Sequence, residues 1–503
     1  MKILPLQTIP GALLATLILV SAAIAQTDNA TAVLAPISPP AANTVYGSVT
    51  SQRPVAAVLP LSLDDAVRRG LQFNLQTTLA KQNQRLASGD RLEAINFLLP
   101  TITWQASRSR NQINLAAEGF SSKLIKSFPP GLIPPGAANN IPTVVTVNEV
   151  QAQANFKQTL FDLHSLELYR AAEEGIRTID YSYQSARGNV IQVVADSYLQ
   201  ALAAAANLTN AQGLLSTNKE FLRQATLKHQ AGVTARLDEL RARVQYQQQE
   251  QVVIAQQNAL EKTQIALKRQ IGLPADQAIR LTNKTPYADL QVIPLDQALP
   301  IAYANRQEYL LLQAQLRATQ YQSRAARFER LPTLSFNGNY GVTGTVGGVY
   351  HGTFLTQGTL TIPLFHEARL RGDRDVADAA TDNAMAQLAS YRHEIEAQIR
   401  DSMLDVTTAK QLVAVARSNV ALSRASLGDA RDRFRNGIDD NLPVVEAQST
   451  LASAEAQLVN SQYQYNVAKL ALARSLGVID KEFHIYLDGS QHAMDSSARA
   501  AVR

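Results

Sequence analysis

The chain has 503 residues, a formal net charge of +5, 18% charged residues and no cysteine. A chain without cysteine forms no disulfides, thiolate metal sites or cysteine nucleophiles. Because the small basic excess is interleaved with acidic residues instead of clustered, the composition argues against nucleic-acid binding.

Residues 1–25 have the pattern of a secretory signal peptide. Lys2 precedes a mostly apolar run over residues 9–20, and residues 23–25 read AIA, the small-x-small pattern of a cleavage site. The alternative is an uncleaved membrane anchor, but the run is shorter than the roughly 20 residues that a span needs. We therefore predict that the protein is exported, and that a flexible leader rich in proline and alanine follows over residues 26–60.

The remaining chain repeats itself. Two motifs recur 232 residues later: LDDA at 63–66 returns as LDQA at 295–298, and LPTITW at 99–104 returns as LPTLSF at 331–336. Two glycine pairs are 205 residues apart, namely Gly232 with Gly437 and Gly272 with Gly477. These matches predict a duplicated unit, with a first structural repeat over 61–280, a second over 281–480 and a C-terminal tail over 481–503.

Each repeat predicts the same order of elements: a helix, two strands, a very long helix, a glycine-marked turn and a last helix. The predicted helices are 62–97, 162–229 and 236–271 in the first repeat and 294–330, 366–435 and 442–476 in the second. At 1.5 Å per residue the long helix would extend roughly 100 Å, so it must be stabilised by lateral contacts with other helices. From Ala447 to Leu472, apolar and small residues step by four and three, the 3.5-residue period of supercoiled helices.

Four segments alternate apolar and polar residues, as strands with one wet and one dry face do. Their apolar rows are Ile102, Trp104 and Ala106; Val150, Ala152, Ala154, Phe156 and Leu160; Leu334, Phe336, Tyr340 and Val342; and Phe354, Leu360 and Ile362. About 10 residues suffice for a tilted strand to cross a bilayer, although a soluble sandwich would alternate in the same way. Four strands cannot close a membrane barrel, and open sheet edges are costly in lipid. We therefore expect copies of the chain to assemble and to close one barrel together, with three copies or alternatively two or four.

Five stretches carry a resemblance to a known family: LSLDDAVRRGLQFN, FLLPTIT, LPTLSF, TIPLFHEARLRGD and FRNGIDDNLPVVEAQSTLASAEAQLVNSQYQYNVAKLALARSLGV. Over roughly residues 60–480, their order and the duplication resemble the TolC-like outer-membrane efflux protein family. The resemblance implies a mainly α protein with membrane β-structure, in which a trimeric 12-stranded outer-membrane β-barrel is continued by a 12-helix α-helical barrel in the periplasm. It also implies a passive exit duct of a tripartite efflux pump or type I secretion system. The implied partners are a periplasmic adaptor, an inner-membrane transporter and outer-membrane lipid.

The resemblance extends to individual residues. The turns at Gly232 and Val233 and at Gly437 and Ile438 are similar to the periplasmic tips of the family, which form the closed entrance and the adaptor-docking surface. Both glycines are also the residues that a chain reversal with positive φ requires. Asp238 lies where the prototype of the family has an aspartate that links neighbouring coiled coils.

In the prototype, the residues that link neighbouring coiled coils form a latch that helps to close the entrance. This sequence has different residues at several of the latch and constriction positions. This chain has Phe434 where the prototype has a tyrosine of the latch, and Asp439 where it has an arginine. It has Pro443 and Glu446 where the prototype has two aspartates at the constriction. The candidates for the periplasmic aperture are therefore Asp238, Asp439, Asp440 and Glu446. Because a predicted helix follows, Asp439, Asp440 and Asn441 can cap its free N–H groups, or the two aspartates can form an acidic ring that selects cations, and both roles are compatible. Glu446 can equally be a solvated surface residue.

No catalytic pattern accompanies these features. The seven histidines show no metal-ligand spacing, the glycine-rich segment 341–348 is followed by a strand, and no nucleophile motif or triad occurs. We predict no enzymatic activity, no metal and no cofactor. The alternative function is a periplasmic coiled-coil adaptor or a structural protein. The four amphipathic strands argue against an adaptor, which would carry a pair of lipoyl-like β motifs around one hairpin.

Overall fold

The computed structural model describes residues 47–49, 53–115, 117, 144–283 and 287–488. The predicted signal peptide, the leader up to residue 46 and residues 489–503 of the predicted tail lie outside the described residues. Among the described residues, no helix combines the length and the apolar composition that a membrane span requires. The described residues form two units, distinguished by their internal contacts: a helical unit from residues 47–49, 53–87, 174–283, 287–316 and 383–488, and a sheet unit from residues 88–115, 117, 144–173 and 317–382.

Helices account for most of the described chain. They are α1 (Leu63–Phe73), α2 (Leu75–Asn96), α3 (Leu163–Gln230), α4 (Arg236–Gln270), α5 (Leu295–Asn305), α6 (Gln307–Phe328), α7 (Glu367–Arg435), α8 (Leu442–Ser475) and α9 (Ile479–Asp488). The very long helices α3 and α7 have 68 and 69 residues. The helix predictions for α3, α4, α7 and α8 are confirmed, since each bound differs from the prediction by at most one residue.

The first helix predicted in each repeat is two helices in the structure. The prediction of one helix over 62–97 is wrong at Asn74, and that over 294–330 is wrong at Arg306, because both residues have extended backbone angles. Oδ1 of Asn74 accepts a hydrogen bond of 2.9 Å from the N–H of Gln76, and so caps the start of α2. The two breaks are 232 residues apart, which is also the spacing of the repeated motifs.

A glycine turn packs against each of these breaks. Gly272 and Gly477 have φ values of +73° and +76°. A Cβ added to Gly272 would lie 2.6 Å from Cβ of Phe73, and one added to Gly477 would lie 2.7 Å from the backbone of Arg306. Both positions therefore require glycine for two reasons, the left-handed backbone and the close approach.

The last part of the predicted leader belongs to the helical unit. Strand β1 (Leu59–Leu61) pairs in parallel with strand β4 (Ile279–Leu281). Upstream, the N–H of Ser48 donates to O of Arg269 at 2.9 Å. The prediction of a flexible leader over 26–60 therefore extends too far, because backbone groups near its end are hydrogen-bonded to the folded chain.

Helix α9 forms where the sequence prediction has only a tail. Its apolar residues Ile479, Phe483, Tyr486 and Leu487 are buried in the main core of the helical unit. Their spacing of four, three and one residues is that of one helix face. This pattern is visible in the sequence, so the helix could have been predicted.

The main core of the helical unit is anchored by two buried tyrosines, Tyr198 on α3 and Tyr465 on α8. Oη of Tyr198 donates to O of Leu61 at 2.9 Å, and the N–H of Leu290 donates to Oη of Tyr465 at 2.8 Å. A second, smaller core consists of Phe221, Ala225, Ala242, Val420, Leu427, Phe434, Val444, Ala447 and Leu451. Because these residues come from α3, α4, α7 and α8, the second core lies at the helix turns that carry the predicted site.

The sheet unit contains one four-stranded antiparallel sheet in the order β2-β3-β5-β6. Its strands are β2 (Thr101–Asn114), β3 (Val144–Phe161), β5 (Thr333–Thr345) and β6 (Tyr350–Thr361). All four predicted strands are confirmed, and each is longer than the alternating segment that predicted it. Strands β2 and β6 form the two edges of the sheet.

The register places the predicted apolar rows on one face. Trp104 lies opposite Ala154, which lies opposite Tyr340, and Tyr340 lies opposite Phe354. Directly opposed residues of antiparallel strands project from the same face. Trp104, Tyr340 and Phe354 are all largely exposed, so this face is an uncovered apolar surface.

Leu160 does not belong to that face as predicted. Thr159 pairs with Ser335, but the next pair joins Phe161 to Leu334, which marks a β-bulge. The extra residue of a bulge has no partner in the ladder and reverses the alternation after it. Phe161 therefore takes the position that the sequence pattern assigns to Leu160.

Candidate functional site

The turns that follow α3 and α7 have the same backbone geometry. Gly232 and Gly437 have φ values of +72° and +70°, which confirms the prediction of chain-reversal glycines. The residue after each glycine donates its N–H to the carbonyl five residues earlier, at 2.9 Å in the first turn and 3.0 Å in the second. This is the long bond of a Schellman C-cap. Since a Cβ at either glycine would meet no atom within 4 Å, the positive φ alone requires glycine there.

Three hydrogen bonds join the two turns and the helix starts that follow them, and two of these are made by Lys228 and Asn441. Nζ of Lys228 donates to O of Phe434 at 3.1 Å and lies 4.3 Å from the centroid of its ring. Nδ2 of Asn441 donates to O of Asp238 at 2.8 Å. Because Asn441 is fully buried, water cannot replace this second bond without opening the joint.

Both aspartates of the second turn are paired with arginines. Nε and Nη2 of Arg433 donate to the carboxylate of Asp439 at 2.5 and 3.3 Å, and these hydrogen bonds hold the pKa of Asp439 below its usual value. Asp440 Oδ2 lies 3.3 Å from Nη1 of Arg241, and its Oδ1 accepts a hydrogen bond of 3.1 Å from the N–H of Leu442. The capping interpretation is therefore confirmed for Asp440, but it is wrong for Asn441, the N-cap residue, whose side chain makes no capping hydrogen bond. Arg433 and Arg241 also offset the negative charge of the two aspartates, and an acidic ring that selects cations would need that charge.

The other two aperture candidates differ in their surroundings. Asp238 is buried in the first turn of α4, where the positive end of the helix dipole favours a carboxylate. Glu446 is exposed, about one helical turn after the start of α8. The structure thus brings Asp238, Asp439 and Asp440 to the joined turns, whereas Glu446 lies beside them.

Phe434, at the latch position, is part of the second core. Its ring packs 5.4 Å from that of Phe221, centroid to centroid. Both rings line a groove of about 250 Å³, together with Ser216, Thr217, Glu220, Gln224, Arg431 and Arg435. A phenylalanine offers no hydroxyl for a hydrogen-bonded latch, so packing holds this position instead.

An exposed apolar stripe on α4 was not among the predicted site residues. Leu237, Leu240 and Val244 are each about half exposed. Their spacing of three and four residues places them on one helix face. They follow Val233, and Ile438 adds a further exposed apolar residue on the second turn. The spacing of the stripe is the sequence signal that would have identified it.

Comparison with known proteins places this architecture in a family. The model of the family described as "Outer membrane efflux protein" matches residues 71–273 and 298–478, which is more than half of the chain. The chain is 28% identical over 323 residues to the pyoverdine export outer membrane protein OpmQ of Pseudomonas putida, covering 62% of this chain and 67% of that protein. It is 24% identical over 455 residues to the solvent efflux pump outer membrane protein SrpC of Pseudomonas putida, covering 86% and 90%.

A solved structure shows the same fold. The CmeC outer membrane channel of Campylobacter jejuni superposes with a TM-score of 0.67 at 18% identity, covering 90% of this chain and 94% of that one. The joined helix turns and the amphipathic sheet are consistent with the match to this family. The chain belongs to the outer membrane efflux protein family, and it is an outer-membrane exit channel for efflux.

Proposed function

We propose that three copies of the chain form one duct, with a 12-stranded β-barrel in the outer membrane continued by a 12-helix α-helical barrel in the periplasm. Each copy would supply its four-stranded sheet and the long helices that follow from it. Substrates would move through the lumen passively, without a catalytic step. Membership of a family of efflux channels, which is not an enzyme family, supports this.

The observation that carries the proposal is the open sheet. Edge strands β2 and β6 have 14 and 12 residues, and the apolar face of the sheet is exposed. In hydrocarbon, each unpaired backbone N–H or C=O costs several kcal/mol, about 2 to 7 on common scales. Pairing β6 of one copy with β2 of the next would remove both edges.

We also propose that the chain is internally duplicated. The helix breaks at Asn74 and Arg306 share the spacing of the sequence motifs, and a positive-φ glycine packs against each break. The turns at Gly232 and Gly437 have matching geometry. These paired features support two copies of one helix-strand-strand-helix-helix unit.

The joined turns are the surface that we assign to a periplasmic adaptor, which would connect the duct to an inner-membrane transporter. Val233, Ile438 and the stripe of Leu237, Leu240 and Val244 supply exposed apolar area for such a contact. The same turns would close the aperture, with Asp238, Asp439, Asp440 and Glu446 as the acidic groups nearest to it. The names of the two relatives state pyoverdine export and solvent efflux. We propose small molecules as the cargo of this chain.

Edge pairing can be tested by disulfide cross-linking, because the native chain contains no cysteine. Gln105→Cys on β2 would be combined in turn with one substitution on the polar face of β6: His351→Cys, Thr353→Cys, Leu355→Cys or Gln357→Cys. One of these pairs should give an oxidised ladder on a denaturing gel that ends at three chains. A ladder ending at two or four chains would refute the trimer. If no pair cross-links and light scattering in detergent gives a monomer, edge pairing itself is wrong.

A further inference from the structure

Leu364 and Phe365 are 90% and 91% exposed, more than any other large apolar side chain in the described part of the structure. They follow Pro363 in a segment that is neither strand nor helix, between the end of β6 and the start of α7 at Glu367. Transfer of two adjacent, almost fully exposed apolar side chains to a nonaqueous environment is favourable, because it removes their apolar surface from water. Their surroundings in the sheet unit indicate what that environment is.

Other exposed apolar side chains lie at the same end of the sheet. They are Phe97, Leu99 and Ile102 around the start of β2, Phe161 at the end of β3, and Leu360 and Ile362 around the end of β6. The antiparallel register brings these three strand ends together. We call these six residues the apolar belt. The belt includes the inner strand β3, which a neighbouring copy paired at an edge strand would not reach.

Three exposed arginines lie at or next to the helix ends beside this segment. Arg369 and Arg371 lie in the first turns of α7, and Arg330 follows the end of α6. Arg330 and Arg371 share the carboxylate of Glu367 at 2.8 and 2.6 Å, and Arg369 lies 3.4 Å from Glu329. A guanidinium has five N–H donors, so each of these arginines keeps donors for a further acceptor. Guanidinium groups bind phosphate oxygens well.

We propose that Leu364 and Phe365 insert into the periplasmic leaflet of the outer membrane, and that Arg330, Arg369 and Arg371 bind the phosphate groups of its phospholipids. This inference rests on the proposed function, in which the sheet crosses the bilayer and the helices lead into the periplasm. From the end of β6 onward, the order along the chain is apolar belt, exposed Leu-Phe pair, and then Arg369 and Arg371. A bilayer has the matching order of hydrocarbon, interface and phosphate.

The geometry of β6 sets the expected depth. Phe354 is seven residues before Thr361, the last residue of the strand, which corresponds to about 23 Å along it at roughly 3.3 Å per residue. A strand tilted by about 45° would then separate the two positions by about 16 Å along the membrane normal. Since the hydrocarbon core is about 30 Å thick, Phe354 would lie near its centre and Phe365 near its boundary.

Tryptophan fluorescence can measure these depths. Trp104 is the only tryptophan, so Trp104→Phe gives a background without one. In this background, Phe365→Trp tests the anchor and Phe354→Trp tests the membrane-spanning strand. Leu422→Trp, at an exposed apolar position on α7, serves as a control outside the sheet unit. Each assembled variant would be reconstituted into phospholipid brominated either near the headgroup or near the ends of the acyl chains.

We expect Phe365→Trp to be quenched mainly by bromine near the headgroup, Phe354→Trp mainly by bromine near the chain ends, and Leu422→Trp by neither. If Phe354→Trp is quenched but Phe365→Trp is not, a second copy covers the Leu-Phe pair and the anchor is refuted, while the membrane duct stands. If neither is quenched, the membrane-spanning sheet is refuted as well.

The phosphate contacts need their own measurement. The double variant Arg369→Gln, Arg371→Gln should retain at least twofold less phospholipid per assembly in native mass spectrometry than the wild-type protein. Arg223→Gln, on an exposed arginine of α3, should retain the wild-type amount. Equal lipid retention in the wild type and the double variant would refute the role of these two arginines.

Discussion

The two helix turns share their backbone geometry but differ in the side chains around them. Both end a very long helix with a positive-φ glycine and a Schellman cap. The first turn leads into α4 with its exposed apolar stripe of Leu237, Leu240 and Val244. The second turn carries Asp439 and Asp440, each paired with an arginine.

The family resemblance implies two roles for both turns, adaptor docking and closure of the aperture. The difference in side chains suits each turn to one of these roles. Apolar surface on the first turn suits contact with a partner protein. Exposed ion pairs contribute little to stability, so those of the second turn can exchange partners at small cost. We infer that the first turn mainly docks and the second mainly gates. Four predictions test this division, in order of decreasing effect.

The largest effect is expected where the two turns are joined. Asn441→Ala removes the donor to O of Asp238 and leaves a cavity where its buried amide was, and the two losses together cost about 1 to 3 kcal/mol. Amide hydrogen exchange in residues 232–240 should therefore accelerate by about 5- to 150-fold. Asn436→Ala, at an exposed position of the same turn, is the control and should change exchange by less than about twofold. Equal acceleration in both variants would contradict a joint held by Asn441.

The glycines should respond alike, because their backbone angles match. Gly232→Ala and Gly437→Ala should each destabilise their turn by about 1 to 2 kcal/mol, the cost of a left-handed residue with a Cβ. Gly213→Ala and Gly428→Ala, within α3 and α7 and with open space for a Cβ, should instead stabilise by about 0.5 to 1 kcal/mol. Thermal unfolding of the assembled protein measures both. A clear difference between Gly232→Ala and Gly437→Ala would show that the turns are not equivalent in backbone strain.

Docking should depend on the first turn more than on the second. Leu240 on α4 and Leu442 on α8 are matched in exposure, at 45% and 42%. Leu240→Gln should weaken adaptor binding about tenfold, because burial of one leucine contributes roughly 1.5 kcal/mol or more. Leu442→Gln should change the affinity by less than about twofold. Surface-immobilised adaptor and assembled duct would give both dissociation constants, and a larger loss for Leu442→Gln would reverse the assignment.

The smallest effect concerns pH and the second turn. Arg433 lowers the pKa of Asp439, so the stabilisation from this pair is fully present above the unfolded-chain pKa of about 3.9. It is lost as the pH falls through the lower pKa of the folded state. The small difference in unfolding midpoint between wild type and Asp439→Asn should therefore stay constant from pH 7 to pH 5 and vanish in strong acid. A difference that already disappears between pH 7 and pH 5 would contradict the pairing.

Local patterns predicted much of the fold. The very long helices and the final helix of each repeat were located to within one residue, because amphipathic periodicity and the turn glycines mark their ends. The breaks at Asn74 and Arg306 escaped prediction. Each break is packed against a glycine turn about 170 to 200 residues further along the chain, and no local propensity records such a contact.

In the candidate site, too, local features were predicted and contacts between distant residues were not. Gly232 and Gly437 were predicted correctly because positive φ is a local requirement with one favoured residue type. The pairing of Asp439 with Arg433 and of Asp440 with Arg241 was not predicted, nor was the bond from Asn441 to Asp238. Charge patterns show which residues are acidic, but they do not show which arginine lies within hydrogen-bonding distance.

The order of the amino acids was enough to predict the helix and strand periods, the two chain-reversal glycines and membership of an efflux-channel family. These properties follow from residue spacing and from steric rules that act within a few residues. Packing between distant segments sets where α1 and α5 end, which residue leaves the apolar face at the bulge, and how the two turns are joined. The partners in those contacts are far apart in the chain, and their distances depend on how whole helices and strands pack.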